Sequence, residues 1–397
     1  MLVNKKLLVI GAGLAQIDAI KKAVDMGYHV LASDGSPDAP GLKIAHEARV
    51  IDVKDVKGTL AWAREAKIDG VVSYASDITL PAVLAVREAL ELPGLGRVPM
   101  EISMDKSRQR KIFKEKKLPQ PDFEIIEKED DLKSAVKKIG FPLVVKPIDN
   151  SGSRGVAVVE KPEQMVSAYF AAIENSAKKA VIIEEFIEGT ELTVEGFSVN
   201  GTHHILAISD KFKPEGSYRV ATQLAYPADI SSEQETEIIN LIKAVYDAAG
   251  VDNTPTHSEI ILTSNGPKIV EIGCRGGGFF VFSRVVEAVS GYDIVANWTK
   301  LCANDPVDGV KILRRAVVLG FFAATPGRLV NVKGLQEAQA MEGVETGLFI
   351  KPGEIVPELK TDGSRTGWMV VCGSNRRQAV ERADWVGKTV QFETVPL

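Results

Sequence analysis

The chain has 397 residues, of which 45% are hydrophobic and 25% are charged, and its net charge is −5. These values are ordinary for a globular protein of two or three domains with a full hydrophobic core. An acidic balance without a long basic tract argues against a bulk nucleic-acid binder, although a local basic site could still hold small anionic substrates.

The cysteine content and the lengths of the apolar runs argue against several further classes of protein. The chain has three Cys and no C-x-x-C spacing, which argues against a disulfide framework and against structural zinc. The N-terminal apolar run is short and ends at Gly11, so it predicts a first strand rather than a signal peptide. No stretch reaches the roughly 18 uncharged apolar residues that a transmembrane helix requires. We therefore expect a cytoplasmic protein without a membrane partner.

The first hundred residues alternate predicted strands and helices. In chain order these are a strand at 7–10, a helix at 15–26, strands at 28–32 and 48–53, a helix near 58–67 and a strand at 70–74. Such alternation predicts a parallel sheet with helices on its faces. A Pro- and Gly-containing break at 92–96 ends this α/β domain, which we place at residues 1–100.

The rest of the chain predicts two α+β domains. The first occupies 101–310, with subdomains 101–180 and 181–310, and the second occupies 311–397. The expected elements are a mostly helical segment at 103–140, strands from 143 to 159, at 181–186 and at 192–199, a helix at 232–249, a hairpin at 257–273, strands near 316–322 and 367–371, and a helix near 377–386.

The turn after the first strand matches part of a dinucleotide-binding fingerprint. Gly11 and Gly13 precede a predicted helix, and Asp34 ends the second strand about 20 residues later. Gln16 stands where the third glycine of that fingerprint would be. Because any open α/β sheet needs a tight first turn, we prefer a structural role and keep NAD binding as the alternative.

A second segment, residues 149–155, consists mostly of small residues and lies between two predicted strands. Its backbone N–H groups could surround phosphate oxygens, with the charge of Lys146 beside them. It is not a Walker A loop, because the G-x-x-x-x-G-K-[ST] pattern is absent. The segment is longer than a hairpin turn requires, which favours a phosphate-binding lid over an ordinary turn.

Two glutamates lie on a predicted hairpin whose register decides their chemistry. A three-residue turn with Gly266 in the left-handed region would pair 263 with 267, 261 with 269, and Glu259 with Glu271. A two-residue turn at Asn265-Gly266 would place the glutamates on opposite faces. Facing carboxylates repel each other, and Mg²⁺ bound to them and to phosphate oxygens would remove the repulsion. The alternative is an exposed sheet face on which both glutamates are solvated.

Arg275 follows the second strand of this hairpin, inside the Gly-rich run 273–278. A cation beside the carboxylates suits the charge that develops on a transferred phosphoryl group or acyl phosphate. His257 shares the face of Glu259, and we expect it to order a carboxylate or the adjacent turn rather than to bind metal.

These features occur in one order along the chain: Lys106, Lys146 with its loop, the segment 184–189, and the set Glu259, Glu271 and Arg275. That order resembles the ATP-grasp superfamily, most closely its carboxylate–amine (L-amino-acid) ligase and carbamoyl phosphate synthetase-like branch. The resemblance covers nearly the whole chain. It implies a Rossmann-like pre-ATP-grasp domain, an α+β ATP-grasp domain and a small α+β C-terminal domain.

The resemblance also implies a role for each matching residue. Lys106 and Lys146 would bind nucleotide phosphates, and Ser151, Gly152, Ser153, Arg154 and Gly155 would form the phosphate lid. Glu184, with the backbone of Glu185 and Ile187, would hold adenine, and Glu191 would hold ribose. Glu259 and Glu271 would bind Mg²⁺, with Mn²⁺ as the alternative ion. Arg275 would face the transferred phosphate, and Lys211 could contact phosphate or product.

One position departs from the pattern. Many relatives carry Asn two residues after the second metal-binding Glu, whereas this chain has Gly273, so a second metal ion is in question. Tyr218, Arg219 and Arg284 are candidate neighbours of the substrate, with surface or core roles equally open.

The resemblance implies, as the expected function, an ADP-forming ligase that uses Mg-ATP to join a small carboxylic or amino acid to an amine through an acyl phosphate. The alternatives are a kinase of bicarbonate or carbamate and a regulatory protein that binds ATP without turnover. Expected partners are small-molecule carboxylate and amine substrates, without nucleic acid, and a homodimer is possible.

Overall fold

The computed structural model describes residues 5–213 and 220–397. Tyr218 and Arg219 therefore lie outside the described residues. Within the described ranges, no helix is both long enough and apolar enough to cross a membrane.

The N-terminal part forms the parallel sheet that the sequence predicts. Its elements are β1 (Lys6–Ile10), α1 (Ile17–Asp25), β2 (His29–Asp34), β3 (Glu47–Val50), α2 (Val56–Ala66), β4 (Gly70–Val72) and α3 (Leu80–Ala89). The strands pair in parallel in the order β3-β2-β1-β4. Alternate residues of β1 pack into two different cores, one containing α1 and the other containing α2 and α3. Burial on both faces explains why this strand is apolar without alternation.

The segment predicted to be mostly helical contains a strand as well. It folds as α4 (Arg97–Ser103), α5 (Lys106–Glu115), β5 (Phe123–Ile126) and α6 (Leu132–Ile139). The next elements are β6 (Leu143–Pro147), β7 (Ala157–Val159), α7 (Met165–Glu174) and β8 (Val181–Glu185). The expectation for β5 is wrong because four residues are too few to show a period, and pairing with β8 makes this segment a strand. These strands form an antiparallel sheet in the order β5-β8-β6-β7.

The remaining chain builds a long mixed region. Its elements are β9 (Thr190–Val199), β10 (Thr202–Phe212), β11 (Gln223–Tyr226), α8 (Ser232–Ala249), β12 (Thr254–Thr263), β13 (Gly266–Gly273), α9 (Val286–Ser290), α10 (Ile294–Cys302), β14 (Ala316–Phe322), β15 (Gly327–Lys333), α11 (Leu335–Gln339), β16 (Val344–Leu348), β17 (Ile355–Val356), β18 (Gly367–Gly373), α12 (Arg376–Thr389) and β19 (Gln391–Val395). The sequence patterns did not predict β10, β11, α9, α10, α11 or the strands β15, β16, β17 and β19.

One eight-stranded sheet, in the order β13-β12-β9-β10-β11-β14-β18-β16, runs through this region. It joins strands from both sides of the predicted domain boundary at 310, and the domain boundaries stay predictions. The predicted fold class is confirmed: a parallel α/β sheet is followed by an α+β region and an α+β C-terminal part.

The ends of helix α8 are set by local sequence, and one face of this helix packs against the eight-stranded sheet. Ser231 caps its N-terminus by accepting a hydrogen bond from the Gln234 backbone, and Gly250 ends it in the left-handed region at φ 65°. Ile238 and Ile242 point into the core beneath β12 and β13. This packing supports the hairpin that carries the two glutamates.

Candidate active site

A cavity of about 600 Å³ lies between the antiparallel four-stranded sheet β5-β8-β6-β7 and the eight-stranded sheet. Its lining includes all but one of the residues to which the resemblance assigns a role: Lys106, Lys146, Ser151, Gly152, Ser153, Arg154, Glu184, Glu185, Ile187, Glu191, Lys211, Glu259, Glu271 and Arg275. The exception is Gly155, which lies at the end of the loop and is not part of the lining. Residues more than 160 positions apart therefore share one site.

The two hairpin glutamates face each other, but not by the predicted register. The turn contains two residues, and Thr263 pairs with Gly266. A β-bulge at Val270 then restores the pairing of Glu259 with Glu271. The expected pairs 263–267 and 261–269 are wrong because the turn is one residue shorter and the bulge adds that residue back within the strand. The buried side chain of Arg110 donates a 2.6 Å hydrogen bond to the Val270 carbonyl oxygen and so fixes the bulge.

Each of these glutamates is paired with a lysine. Lys106 Nζ lies 2.8 Å from Glu271 Oε1 and also donates to the Asn150 carbonyl oxygen at 2.7 Å. Lys211 forms an ion pair with Glu259. Burial alone would raise the pKa of Glu259, but Lys211 and its cationic neighbours outweigh burial and lower that pKa below its usual range. Glu259 is therefore ionised and available to a cation.

The carboxylate pair fits a divalent cation that is shared with phosphate oxygens. Hard cations such as Mg²⁺ take oxygen ligands, and Mg²⁺ usually keeps water and substrate phosphates in its shell. In the described ranges, no group of three or more His, Cys, Asp or Glu side chains is arranged to hold a metal by itself. Two carboxylates complemented by substrate oxygens match this donor set.

A buried charge triad lies behind the phosphate loop. Glu184, with 3% of its surface exposed, is bound by Lys146 Nζ at 2.7 Å and by Arg110 Nε at 2.8 Å. Burial opposes ionisation of Glu184, yet Arg110 and Lys146 keep its pKa below the usual range. Burial, followed by the charge of Arg110, lowers the pKa of Lys146. Adenine contact by the Glu184 side chain stays a prediction, because the carboxylate already accepts from two cations.

Arg110 was not identified from the sequence. Its signal is its place on α5, four residues after Lys106, which puts both cations on one helical face. Asp105 caps this helix by accepting from the Ser107 and Arg108 backbone N–H groups. The cap therefore sets the direction in which Lys106 enters the cavity.

The phosphate loop connects β6 to β7 and turns through left-handed backbone. Gly152, Ser153 and Gly155 have φ values of 69°, 59° and 74°. Arg154 folds back on the loop, and its Nη2 donates to Asn150 Oδ1 at 2.6 Å. A Cβ at Gly155 would lie 2.9 Å from Asn175 Cβ and 3.2 Å from the Ala171 carbonyl oxygen. Gly155 thus lets the loop approach α7.

Replacing Gly155 with alanine is expected to destabilise the protein more than the same change at Gly152. The left-handed backbone costs about 1–2 kcal/mol at either position. Crowding against Asn175 adds about 1–3 kcal/mol at Gly155, whereas a Cβ at Gly152 has no neighbour within 4 Å. Urea unfolding of both variants measures the difference, and equal losses would show that α7 yields to the new methyl group.

The side chain of Arg275 is oriented by Asp77, a residue of the N-terminal part of the chain. Its Nε donates to both carboxylate oxygens of Asp77 at 3.1 Å, and its Nη1 donates to the Gly276 carbonyl oxygen at 2.9 Å. Burial alone would lower the pKa of Arg275, but Asp77 raises it. Asp77, which follows β4, carried no local motif that pointed to this role.

The other predicted polar residues also have partners. Glu191 forms an ion pair with Lys213, whose pKa is lowered by burial and by Lys211. His257 Nδ1 lies 2.7 Å from Glu195 Oε1, which agrees with an ordering role. Gly273 pairs with His257 across the hairpin.

Arg284 does not line the cavity. It binds Asp18 and Glu345 and packs over the rings of Phe280 and Trp368. This arrangement favours the structural role that was left open for Arg284, since it joins three parts of the chain.

The Asp34 carboxylate accepts hydrogen bonds from the backbone of the N-terminal glycine turn and of the segment after β2. Asp34 Oδ2 accepts from the Ala12 N–H at 2.8 Å, and Asp34 Oδ1 accepts from the Ser36 N–H at 2.9 Å. Gln16 Nε2 donates to the Tyr74 carbonyl oxygen at 3.0 Å. These bonds favour the structural role of the turn over dinucleotide binding.

Two family models match the chain. The model of the ATP-grasp domain matches residues 139–282, and that of the L-amino acid ligase C-terminal domain 2 matches residues 320–395. The chain therefore contains an ATP-grasp domain and, after it, an L-amino acid ligase C-terminal domain 2. This confirms the resemblance seen in the sequence and, with it, the class of ATP-dependent ligases.

Similar proteins match over nearly the full length of the chain. Formate-dependent phosphoribosylglycinamide formyltransferase of Pyrococcus abyssi is 26% identical, with 98% of this chain and 92% of that protein covered. The crystal structure of an L-amino acid ligase from Bacillus licheniformis matches with a TM-score of 0.88 and 21% identity, covering 99% of both chains. The biotin carboxylase domain of Hydrogenobacter thermophilus 2-oxoglutarate carboxylase, solved with MgADP and bicarbonate, has a TM-score of 0.78 and 18% identity over 98% of this chain and 90% of that one.

Proposed function

We propose that this protein is an ADP-forming carboxylate–amine ligase that works through an acyl phosphate. The observation that carries the proposal is the convergence, in one cavity, of two facing carboxylates, four lysines, a phosphate-type loop and an oriented arginine. The ATP-grasp family match supports nucleotide binding. Mg²⁺ held by Glu259 and Glu271 would neutralise charge on the ATP phosphates.

The first step transfers the γ-phosphoryl group. A substrate carboxylate oxygen attacks the γ-phosphorus, the bond to the β-phosphate oxygen breaks, and ADP leaves. Lys106, Lys146 and the loop 149–155 would hold the phosphates in line, so that catalysis consists mostly of positioning and charge stabilisation. Arg275, aimed by Asp77, would stabilise the charge on the transferred group.

In the second step the amine nitrogen attacks the acyl carbon. The carbon–oxygen bond to phosphate breaks, inorganic phosphate leaves, and the nitrogen gives up a proton to complete the amide. Water in the cavity would hydrolyse the acyl phosphate. Closure of the phosphate loop over the cavity would exclude water during this interval.

We also propose where the substrate carboxylate binds. Arg365 comes from the C-terminal part of the chain and lines the same cavity, although only 7% of its surface is exposed. Its guanidinium packs over the rings of Phe321 and Phe279 and pairs with Asp362 at 2.8 Å. Its buried Nε has no hydrogen-bond partner in the part of the chain that the structure describes. A buried donor without a partner is costly, and a substrate oxygen would satisfy it.

Replacing Arg365 with lysine is expected to raise KM for the carboxylate substrate about 10- to 100-fold, with a smaller change in kcat. Lysine keeps the charge but loses the planar fork that can bind a carboxylate through two bonds. Steady-state kinetics at saturating ATP measure the effect. Arg328→Lys, an exposed change in the same part of the chain, is the control. A kcat loss at unchanged KM would contradict a role in substrate binding.

The test of the whole proposal is ADP release from Mg-ATP across a panel of small carboxylates and amines, singly and in pairs. The panel includes amino acids, formate and bicarbonate. ADP and an amide that form only when a carboxylate and an amine are both present support the ligase. AMP formation, ADP release with bicarbonate alone, or ATP binding without turnover on any pair would each count against it.

A further inference from the structure

A second cavity, of about 580 Å³, lies at a gap in the eight-stranded sheet. β11 pairs only with Asp210–Phe212 of β10, so residues 202–209 lack a strand neighbour on that side. The backbone of Ala228 donates one hydrogen bond to Ile208 across this gap. The second cavity shares no lining residue with the catalytic cavity.

Most of the residues that line this second cavity are apolar. The lining residues come from β10, α8, α9 and the segments 227–230 and 312–314, with Leu206, Ile208, Ile239, Val289, Ile312 and Leu313 among them. Ile312 and Leu313 are 44% and 47% exposed, which is unfavourable for large apolar side chains.

Hydrogen bonds hold the segment that carries these two exposed side chains in place. Leu313 N–H donates to the Ser290 carbonyl oxygen at 2.7 Å, and Arg315 N–H donates to that of Val289 at 3.0 Å. Arg314 Nη1 binds Glu235 Oε2 of α8 at 2.8 Å and so ties the segment across the groove. The apolar side chains are therefore fixed at the wall of the cavity.

Two polar groups of the second cavity have no protein partner. Within the described ranges, neither the His204 imidazole nor the Lys243 ammonium takes part in a hydrogen bond or ion pair. Burial lowers the pKa of His204, and the charge of the nearby Lys243 lowers it further. Arg314 is neutralised by Glu235, which leaves Lys243 as the uncompensated charge among the lining residues.

We propose that this cavity is a second ligand site, which binds a small anion with an apolar body. An alkyl carboxylic acid with roughly six to ten carbons matches the size and walls of the cavity. Its carboxylate would lie at Lys243, within reach of His204, and its chain would cover Ile312 and Leu313. β10 continues from this cavity to Lys211, three residues beyond Ile208, so the ligand would contact a strand that also serves the catalytic cavity.

Decanoate is the probe, and its binding to the full chain is measured by isothermal titration calorimetry. We expect saturable binding of one decanoate per chain. Lys243→Glu should weaken it about tenfold or more, since it replaces an attractive charge with a repulsive one. Leu313→Asp should weaken it similarly by removing apolar contact. Both residues are exposed, so the variants should keep the fold, and thermal unfolding checks this.

Two matched variants and one competitor complete the test. Lys57→Glu and Ile355→Asp make the same types of change at exposed positions outside both cavities, and should leave the Kd of decanoate unchanged. Saturating Mg-ATP should not displace decanoate. Absence of saturable binding, wild-type affinity in both cavity variants, or displacement by Mg-ATP would each overturn the proposal. The measurement requires no turnover, so its failure is separate from failure of the ligase proposal.

Discussion

Replacing Glu271 with alanine is expected to lower kcat for ADP release by about 10³-fold, the equivalent of roughly 4 kcal/mol. Glu271 is one of the two facing carboxylates and also holds Lys106 at 2.8 Å. The change would remove half of the protein's ligands for a divalent cation and release a lysine that is placed to bind phosphate. No other described carboxylate completes the set.

A graded variant separates the two losses. Glu271→Gln keeps the shape and one oxygen ligand but loses the charge, so it should require a higher Mg²⁺ concentration and retain more activity than the alanine variant. Mn²⁺ should restore more activity than Mg²⁺ in the Gln variant, because Mg²⁺ demands the stricter geometry. Glu237→Ala, an exposed carboxylate on α8, is the control. Full activity of Glu271→Ala at the Mg²⁺ concentration that suffices for the wild type would contradict a metal-binding role for Glu271.

Replacing Glu184 with glutamine is expected to destabilise the protein by about 3–5 kcal/mol. The carboxylate is buried between Lys146 and Arg110, and its loss leaves two buried cations without compensation. Urea unfolding followed by fluorescence and by circular dichroism measures the change, with both probes required because several domains need not unfold together. The exposed change Glu115→Gln should cost little and serves as the control.

The double variant Glu184→Gln, Lys146→Met tests the cause. Removing one of the two uncompensated cations should return part of the lost stability, which an effect of cavity or shape would not do. If the double variant is as unstable as the sum of both single changes, charge compensation is not the reason.

The pH dependence of Glu184→Gln follows from the same triad. Burial opposes ionisation, but the two cations hold the folded pKa of Glu184 below its unfolded value. The stability that ionised Glu184 contributes is therefore present above about pH 4.3, the unfolded value, and is lost as pH falls through the lower folded pKa. The difference in unfolding free energy between wild type and variant should shrink at acidic pH, and a constant difference from pH 7 to strongly acidic pH would contradict this.

The two-glutamate site shows how a sequence argument can reach a correct pair through a wrong register. The Asn-Gly signal predicted the hairpin, and of the two turn lengths considered, the three-residue turn would place both glutamates on one face. The structure has a shorter turn and a bulge at Val270. The bulged residue Val270 accepts a hydrogen bond from Arg110, which lies 160 positions away in the sequence, so no local pattern contains this contact.

The sequence by itself determined the features that depend on neighbours along the chain. The N-terminal strands and helices, α8 with its cap, and the Gly-rich loop follow from periodicity and turn chemistry within short windows. The order of the charged motifs was enough to indicate the superfamily. Each of these signals is carried by residues close in sequence.

Tertiary structure alone decided which groups hold the predicted ones in place. Asp77 orients Arg275, Arg110 pairs with Glu184, Glu195 orders His257, and Arg365 enters the cavity from the C-terminal part. The opening beside β10 was likewise invisible, because a short strand leaves its neighbour unpaired only once the sheet is assembled. The physical reason is common to all of them: charge compensation and strand pairing join residues that are close in space but far apart in sequence.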